Sequence, residues 1–322
     1  MDYFINKKGW LKWFKGWLII DCAIRDKNIV YLCLRKDLSP EAASSVFEHD
    51  IPSELVSIFL DEERLDFRYG GVGVTGFNKP TLGVSRIPKG QGLLTARNSD
   101  GQTYVVGSGS SWPNEYIDKD SWPIIQRIKC INNYAYAVGL GRKVYKRSDI
   151  GVWVKHEKGF PKVDSSIEQG FKDIDAFSET DMYAVGGHGD IWHFDGTQWR
   201  AIVFPTNVQL NTVVCAPDGQ VYIGAERGDL WSGRNTSWKR VYEGNSSLLW
   251  NDIVWFSNKL WLSSDYEFCV WDGKSLLPVE HDGQPIPITG HLDAYDGLLI
   301  IANQTEVWSF NGSAWQTIAA PY

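Results

Sequence analysis

An all-β propeller is the fold this sequence predicts, on three observations. The segment Met182-Tyr-Ala-Val-Gly-Gly-His-Gly-Asp-Ile-Trp192, followed by Trp199, is echoed by Val221-Tyr-Ile-Gly-Ala-Glu-Arg-Gly-Asp-Leu-Trp231, followed by Trp238. The displacement of about 40 residues is the length of one four-stranded blade. An aromatic slot recurs at Tyr145, Trp192, Trp231, Trp271 and Trp308, with a second tryptophan a fixed step later at Trp199, Trp238 and Trp315. The composition agrees, since Trp 16, Tyr 14 and Phe 14 against Met 2 favour strands over helices.

Within the clearest repeat the strands read as a over 171–177, b over 181–186, c over 190–194 and d over 199–203. Asp-Gly or Asn-Gly pairs punctuate the hairpins, where a two-residue turn of type I′ needs positive φ at both positions. Asp100-Gly101, Asp218-Gly219 and Asp296-Gly297 fall between strands a and b; Asp195-Gly196, Asp272-Gly273 and Asn311-Gly312 fall between c and d. Ala176, Cys215 and Trp255 occupy one position of strand a, with Cys130 and Ala294 close to that register. A mostly small side chain there suits the innermost strand, where blades crowd round the axis. Trp199, Trp238 and Trp315 are expected to be buried between blades.

Toward the N-terminus, 17–20 and 29–33 read as two strands of the first blade, and 93–107 as strands a and b of another. Between them a helical insertion is expected over 38–62. Ser39 caps a helix starting at Pro40-Glu41, and 52–60 forms a second short helix. Seven blades are expected, residues 1–80 supplying a whole blade, with six as the alternative if their strands are shared among neighbours, in a single domain over 1–322. The last repeat already holds four strands. The N-terminal strands are therefore expected to seal the ring beside it without donating a missing one.

The stretch Tyr183-Ala-Val-Gly186, Gly189-Asp-Ile191 and Asp195-Gly-x-x-Trp199 resembles the bacterial propeller repeat A-V-G-x-x-G-x-I-x-x-x-D-G-x-x-W, and is distantly similar to kelch repeats. The resemblance covers about residues 125 to 322 and implies the fold, with little to say about function.

Lys+Arg 32 against Asp+Glu 39 gives a formal charge of -7. A phosphate backbone wants clustered cations, so nucleic acid is not the expected partner. No apolar run is long enough for a membrane span, and the five cysteines show no Cys-x-x-Cys pair and read as reduced core thiols. A cytoplasmic location is expected. The six histidines lack metal spacing, and neither a Gly-x-Ser-x-Gly elbow nor a phosphate-binding loop is present. No catalytic residue, metal or cofactor is expected.

The candidate binding residues are those at the hairpin tips between strands b and c: His188, Asp190, Glu226, Asp229, Asp265, Glu267 and Glu306. Their carboxylates outnumber the cations Arg142, Lys143 and Arg227 at the same tips, so one face is expected to be acidic and to steer a basic protein partner. The function expected is that of a non-catalytic protein-binding propeller, as a bacterial immunity protein neutralising a cationic toxin would be. The alternative is a carbohydrate-binding, lectin-like propeller.

Overall fold

Seven four-stranded antiparallel sheets follow one another along the chain, each built from four consecutive strands. They form blades 1 (17–74), 2 (81–116), 3 (125–155), 4 (173–202), 5 (210–242), 6 (252–278) and 7 (291–319). This computed structural model describes residues 3–97, 100–109, 111–161, 169–244 and 248–322. Residues of all seven a strands line a central cavity of about 300 Å³, Ala176, Cys215, Trp255, Cys130 and Ala294 among them. In each blade the b–c tip and the linker to the next blade lie on one face, called here the b–c face.

The strands of blade 4 run over Asp173–Ser178, Asp181–Gly186, Asp190–Phe194 and Trp199–Ile202, as the repeat predicts. Two N-terminal expectations need correction. The segment read as a second helix is a strand, Ser53–Phe59, the third of blade 1. Its Leu55, Val56 and Ile58 are buried, and pairing on both sides outweighs the capping signal of Pro52-Ser53. The helical insertion thus shrinks to the b–c connection of blade 1. It holds a short helix, Pro40–Ser44, capped by the Ser39 hydroxyl, and a 3-10 turn, Glu48–Asp50.

Residues 93–107 belong to strands b and c of blade 2, because Thr81–Ser85 is its strand a. Asp100-Gly101 accordingly lies in a b–c tip. The turn chemistry also differs from expectation. Among the six pairs, positive φ at both residues occurs in Asp296-Gly297 alone among the described turns. At Asp195, Asp272 and Asn311 the side chain instead accepts the N–H groups two and three residues on, and only the following glycine is left-handed.

Trp199, Trp238 and Trp315 do share one register, opposite Phe194, Gly233 and Phe310 on strand c. Their burial is unequal. Trp199 is 1% exposed, stacked on Phe160 of the preceding linker with its indole N–H donating to the His156 carbonyl. Trp238 and Trp315 are half-buried. Phe204 of the linker before blade 5 takes the place of Phe160 but meets Trp238 edge-on, at 5.6 Å between ring centroids, and covers less of it.

Candidate functional site

The cavity on the axis is densely charged, and its chemistry is that of a joint. Asp21, Asp173 and Asp252 sit near the b–c face on strands a of blades 1, 4 and 6. Each accepts a backbone N–H from strand a of the next blade, from Leu82, Val213 and Leu292 respectively, at 2.8–3.1 Å. Thr81, Thr212 and His291 of those next blades add a side-chain bond to the same carboxylates. One layer deeper, Asp175 accepts from Cys215 N–H and Asp293 from Ile24 N–H. These five carboxylates staple blade to blade, the last across the closure from blade 7 to blade 1.

Two arginines span the ends of the cavity. Arg127 of blade 3 pairs across the axis with Asp252 and lies 3.5 Å from Asp173. Arg86 donates to the Ile24 and Arg25 carbonyls at 2.7 Å and lies over the Tyr295 ring. Burial opposes ionisation of Asp252, yet Arg127 and His291 hold its carboxyl far below the usual range. Burial likewise opposes a charged His291, and the bond to Asp252 overcomes it and raises the imidazole. Among the described residues no group of three or more His, Cys, Asp or Glu side chains is placed to hold a metal.

The deeper carboxylates go the other way: burial raises Asp293, and it does the same to Asp175. Burial pushes it up to about 6 despite Lys129 nearby and the N–H of Cys215, with Asp173 adding repulsion. The folded state therefore keeps this proton to about pH 6, whereas the unfolded chain releases it near 3.9, so stability falls as pH rises through that window. Asp175→Asn retains a carbonyl for the Cys215 N–H. It is expected to raise stability at pH 7.5 by about 1–3 kcal/mol and to change little at pH 4.5. Urea unfolding at both pH values checks this. Destabilisation at pH 7.5 would mean that attraction to Lys129 outweighs burial.

The b–c face carries all seven sequence-predicted residues, and it uses them differently. Asp190 is not a free rim charge, because Arg142 of the neighbouring blade grips it at 3.0–3.2 Å and the Trp192 indole donates to it. Asp229 is 3% exposed, bonded to Gly244 N–H and Arg240. The Glu306 carboxylate accepts from the Trp308 indole. These three serve the blades. The signal was in the repeat itself, since an acid two residues before the strand c aromatic recurs as part of the blade pattern.

Glu226 is half-buried, while His188, Asp265 and Glu267 are exposed. Asp265 and Glu267 flank Tyr266, which is 76% exposed at the tip of blade 6. A cavity of about 550 Å³ opens beside them, lined by Leu18 and Ile20 of blade 1, Tyr266, Thr289, and Asn303 and Thr305 of the blade 7 tip. The insertion of blade 1 projects on the same face, with Phe47 73% exposed. Arg35 anchors its base, donating to the Phe77 carbonyl and pairing with Glu48. Phe47 and Tyr266 were not among the sequence-predicted residues, for nothing in their local sequence separates an exposed aromatic from a packed one.

No family model matches the chain. The immune protein Tsi7 of Pseudomonas aeruginosa is 33% identical over 224 residues, which is 68% of this chain and 73% of that protein. Among solved structures, the WD40 propeller domain of Doa1 superimposes with a TM-score of 0.63 at 13% identity, covering 89% of this chain and 90% of that one. YCF48 bound to D1 peptide gives 0.59 at 15% identity, covering 90% and 89%. At these identities the two structures speak for the propeller fold alone.

Proposed function

The chain belongs to the family of the immune protein Tsi7, and on that premise we propose that it is a non-catalytic propeller that protects its own cell by binding a protein toxin. The observation that carries this is the 33% identity sustained over 224 residues. The geometry supports it. The axial carboxylates are committed to blade joints, and the exposed chemistry lies at hairpin tips, where a rigid scaffold presents loops to a partner. The unpaired tip carboxylates favour a basic partner. A lectin is less well supported, because the recurrent tryptophans pack within and between blades.

The cytoplasm suits the chemistry of the thiols. All five cysteines are free, and burial pushes each thiol up and so keeps it protonated and inert. Among the described residues no helix is long and apolar enough to cross a membrane.

The test is survival in competition. A strain lacking this chain, grown against its own parent, is expected to be killed, and the restored gene is expected to rescue it. Equal survival with and without the gene would sink the immune reading.

A further inference from the structure

Resting on that reading, we propose that the arc of the b–c face formed by blades 6, 7 and 1 is the toxin-binding surface, and that it receives a cationic segment of the toxin bearing an apolar anchor. Three features coincide on this arc. The 550 Å³ cavity joins blade 1 to the tips of blades 6 and 7. Two aromatic side chains, Phe47 and Tyr266, stand about three-quarters exposed on it, and exposed aromatics are the residues that most often anchor an interface. The third feature is charge.

Asp37, Glu41 and Asp50 of the insertion are exposed, as are Asp265 and Glu267 of the blade 6 tip and Glu280 and Asp282 of the linker to blade 7. Among the described residues none of these seven forms an ion pair with Lys or Arg. Of the nearby cations Arg35 is committed to Glu48 and Lys36 to the Trp17 ring, which leaves Lys15 and Lys79 as exposed cations beside the insertion, two against the seven acids. Elsewhere on the same face the pattern reverses, with Asp190 on Arg142, Asp229 on Arg240, Asp118 on Lys155 and Glu157 on Lys143. Trp122, 69% exposed on the linker between blades 2 and 3, lies in that paired region. It offers apolar area beside a single exposed acid, Asp120, that no Lys or Arg pairs among the described residues. Among the described residues the arc of blades 6, 7 and 1 joins exposed aromatic area to seven acids without a Lys or Arg partner, and that combination selects a cationic partner and speeds its arrival.

The competition assay separates the two levels of the argument. The deletion strain is complemented with wild type, with an arc variant (Phe47→Ala, Tyr266→Ala, Asp265→Lys, Glu267→Lys) or with a control variant (Trp122→Ala, and Val203→Asp at an exposed residue that opens the linker from blade 4 to blade 5). Wild type and control are expected to restore survival, and the arc variant to leave it at the level of the deletion. A protective arc variant beside protective wild type overturns this surface and leaves the immune reading standing. Failure of wild type to protect overturns both. Thermal melting of the purified variants confirms folding, and Tyr266→Ala with Glu267→Lys serves if the fourfold variant melts early. With the toxin that wild type protects against, the arc variant is expected to bind about thirty-fold more weakly or worse. The wild-type association rate is expected to fall with added salt and the variant rate to stay nearly level. Equal rates at low salt would also overturn the proposal.

Discussion

Glu115→Ala is expected to destabilise the protein by about 3–5 kcal/mol, the cost of leaving a buried charge without its partner. Arg147 is fully buried in strand c of blade 3, and its guanidinium reaches Glu115 of blade 2 through two nitrogens. The same carboxylate accepts Gly151 N–H at 2.9 Å and the Trp153 indole at 3.0 Å, and Arg147 also donates to Gln91. Glu115 sits on the shortest outer strand of any blade, Glu115–Tyr116. Little else pins that strand. Urea unfolding of Glu115→Ala measures the loss, and Glu115→Leu with Arg147→Met is expected to regain most of it, because an apolar pair of similar volume avoids the desolvation penalty. A loss below about 1 kcal/mol in the single variant would mean that water reaches Arg147 once the carboxylate is gone.

Most of this architecture is legible in the sequence where the repeat is strong. The 39-residue displacement of Trp192 and Trp199 onto Trp231 and Trp238 fixes the register of strands c and d, and the small residues at Ala176 and Cys215 identify the axis. The reading weakens where packing decides. Thr81–Ser85 escaped notice as a strand a because it has no aromatic and its alternation rests on two apolar residues alone, Leu82 and Val84. Its Gly83 is there because a Cβ would lie 2.4 Å from the Ile128 side chain of the next blade, a constraint with no local trace. Ser53–Phe59 imitates a capped helix, and only pairing on both edges makes it a strand.

The candidate site was legible by half. Topology alone places every b–c tip on one face, so the face could be predicted from the repeat. Which acids on it are free could not. Asp190 and Asp265 are both tip aspartates, yet the carboxylate of one is gripped by Arg142 of an adjacent blade and that of the other accepts from the uncharged Asn251 amide. The distinction depends on what the neighbouring blade brings, 48 residues away in sequence for Arg142. Motif membership was the better guide, since an acid repeated with the blade is more safely assigned to the blade than to a ligand.

Removing residues 1–16 is expected to abolish a cooperatively folded monomer. The ring closes without exchange of a strand, because blades 1 and 7 each hold their own four, and the N-terminal segment lies over the seam. Phe4 and Ile5 donate backbone N–H groups to Thr317 and Ile318 on the outer strand of blade 7, which gives that exposed edge a partner. The helix Lys7–Trp13 then lies against the outer strand of blade 1, so close that a Cβ at Gly9 would lie 2.5 Å from the Tyr69 ring and one at Gly71 2.4 Å from Trp13. Phe4, Ile5 and Phe14 are all buried in the core shared by blades 1 and 7. Burying three such side chains contributes about 5–9 kcal/mol, against a typical total of about 5–15 kcal/mol for a folded domain. Ile5→Ala, at about 2–5 kcal/mol, is the graded version of the same experiment. A truncated protein that remains monomeric and unfolds in one transition near the wild-type midpoint would show that the direct contacts between blades 7 and 1, the carboxylate staple from Asp293 to Ile24 among them, suffice to close the ring.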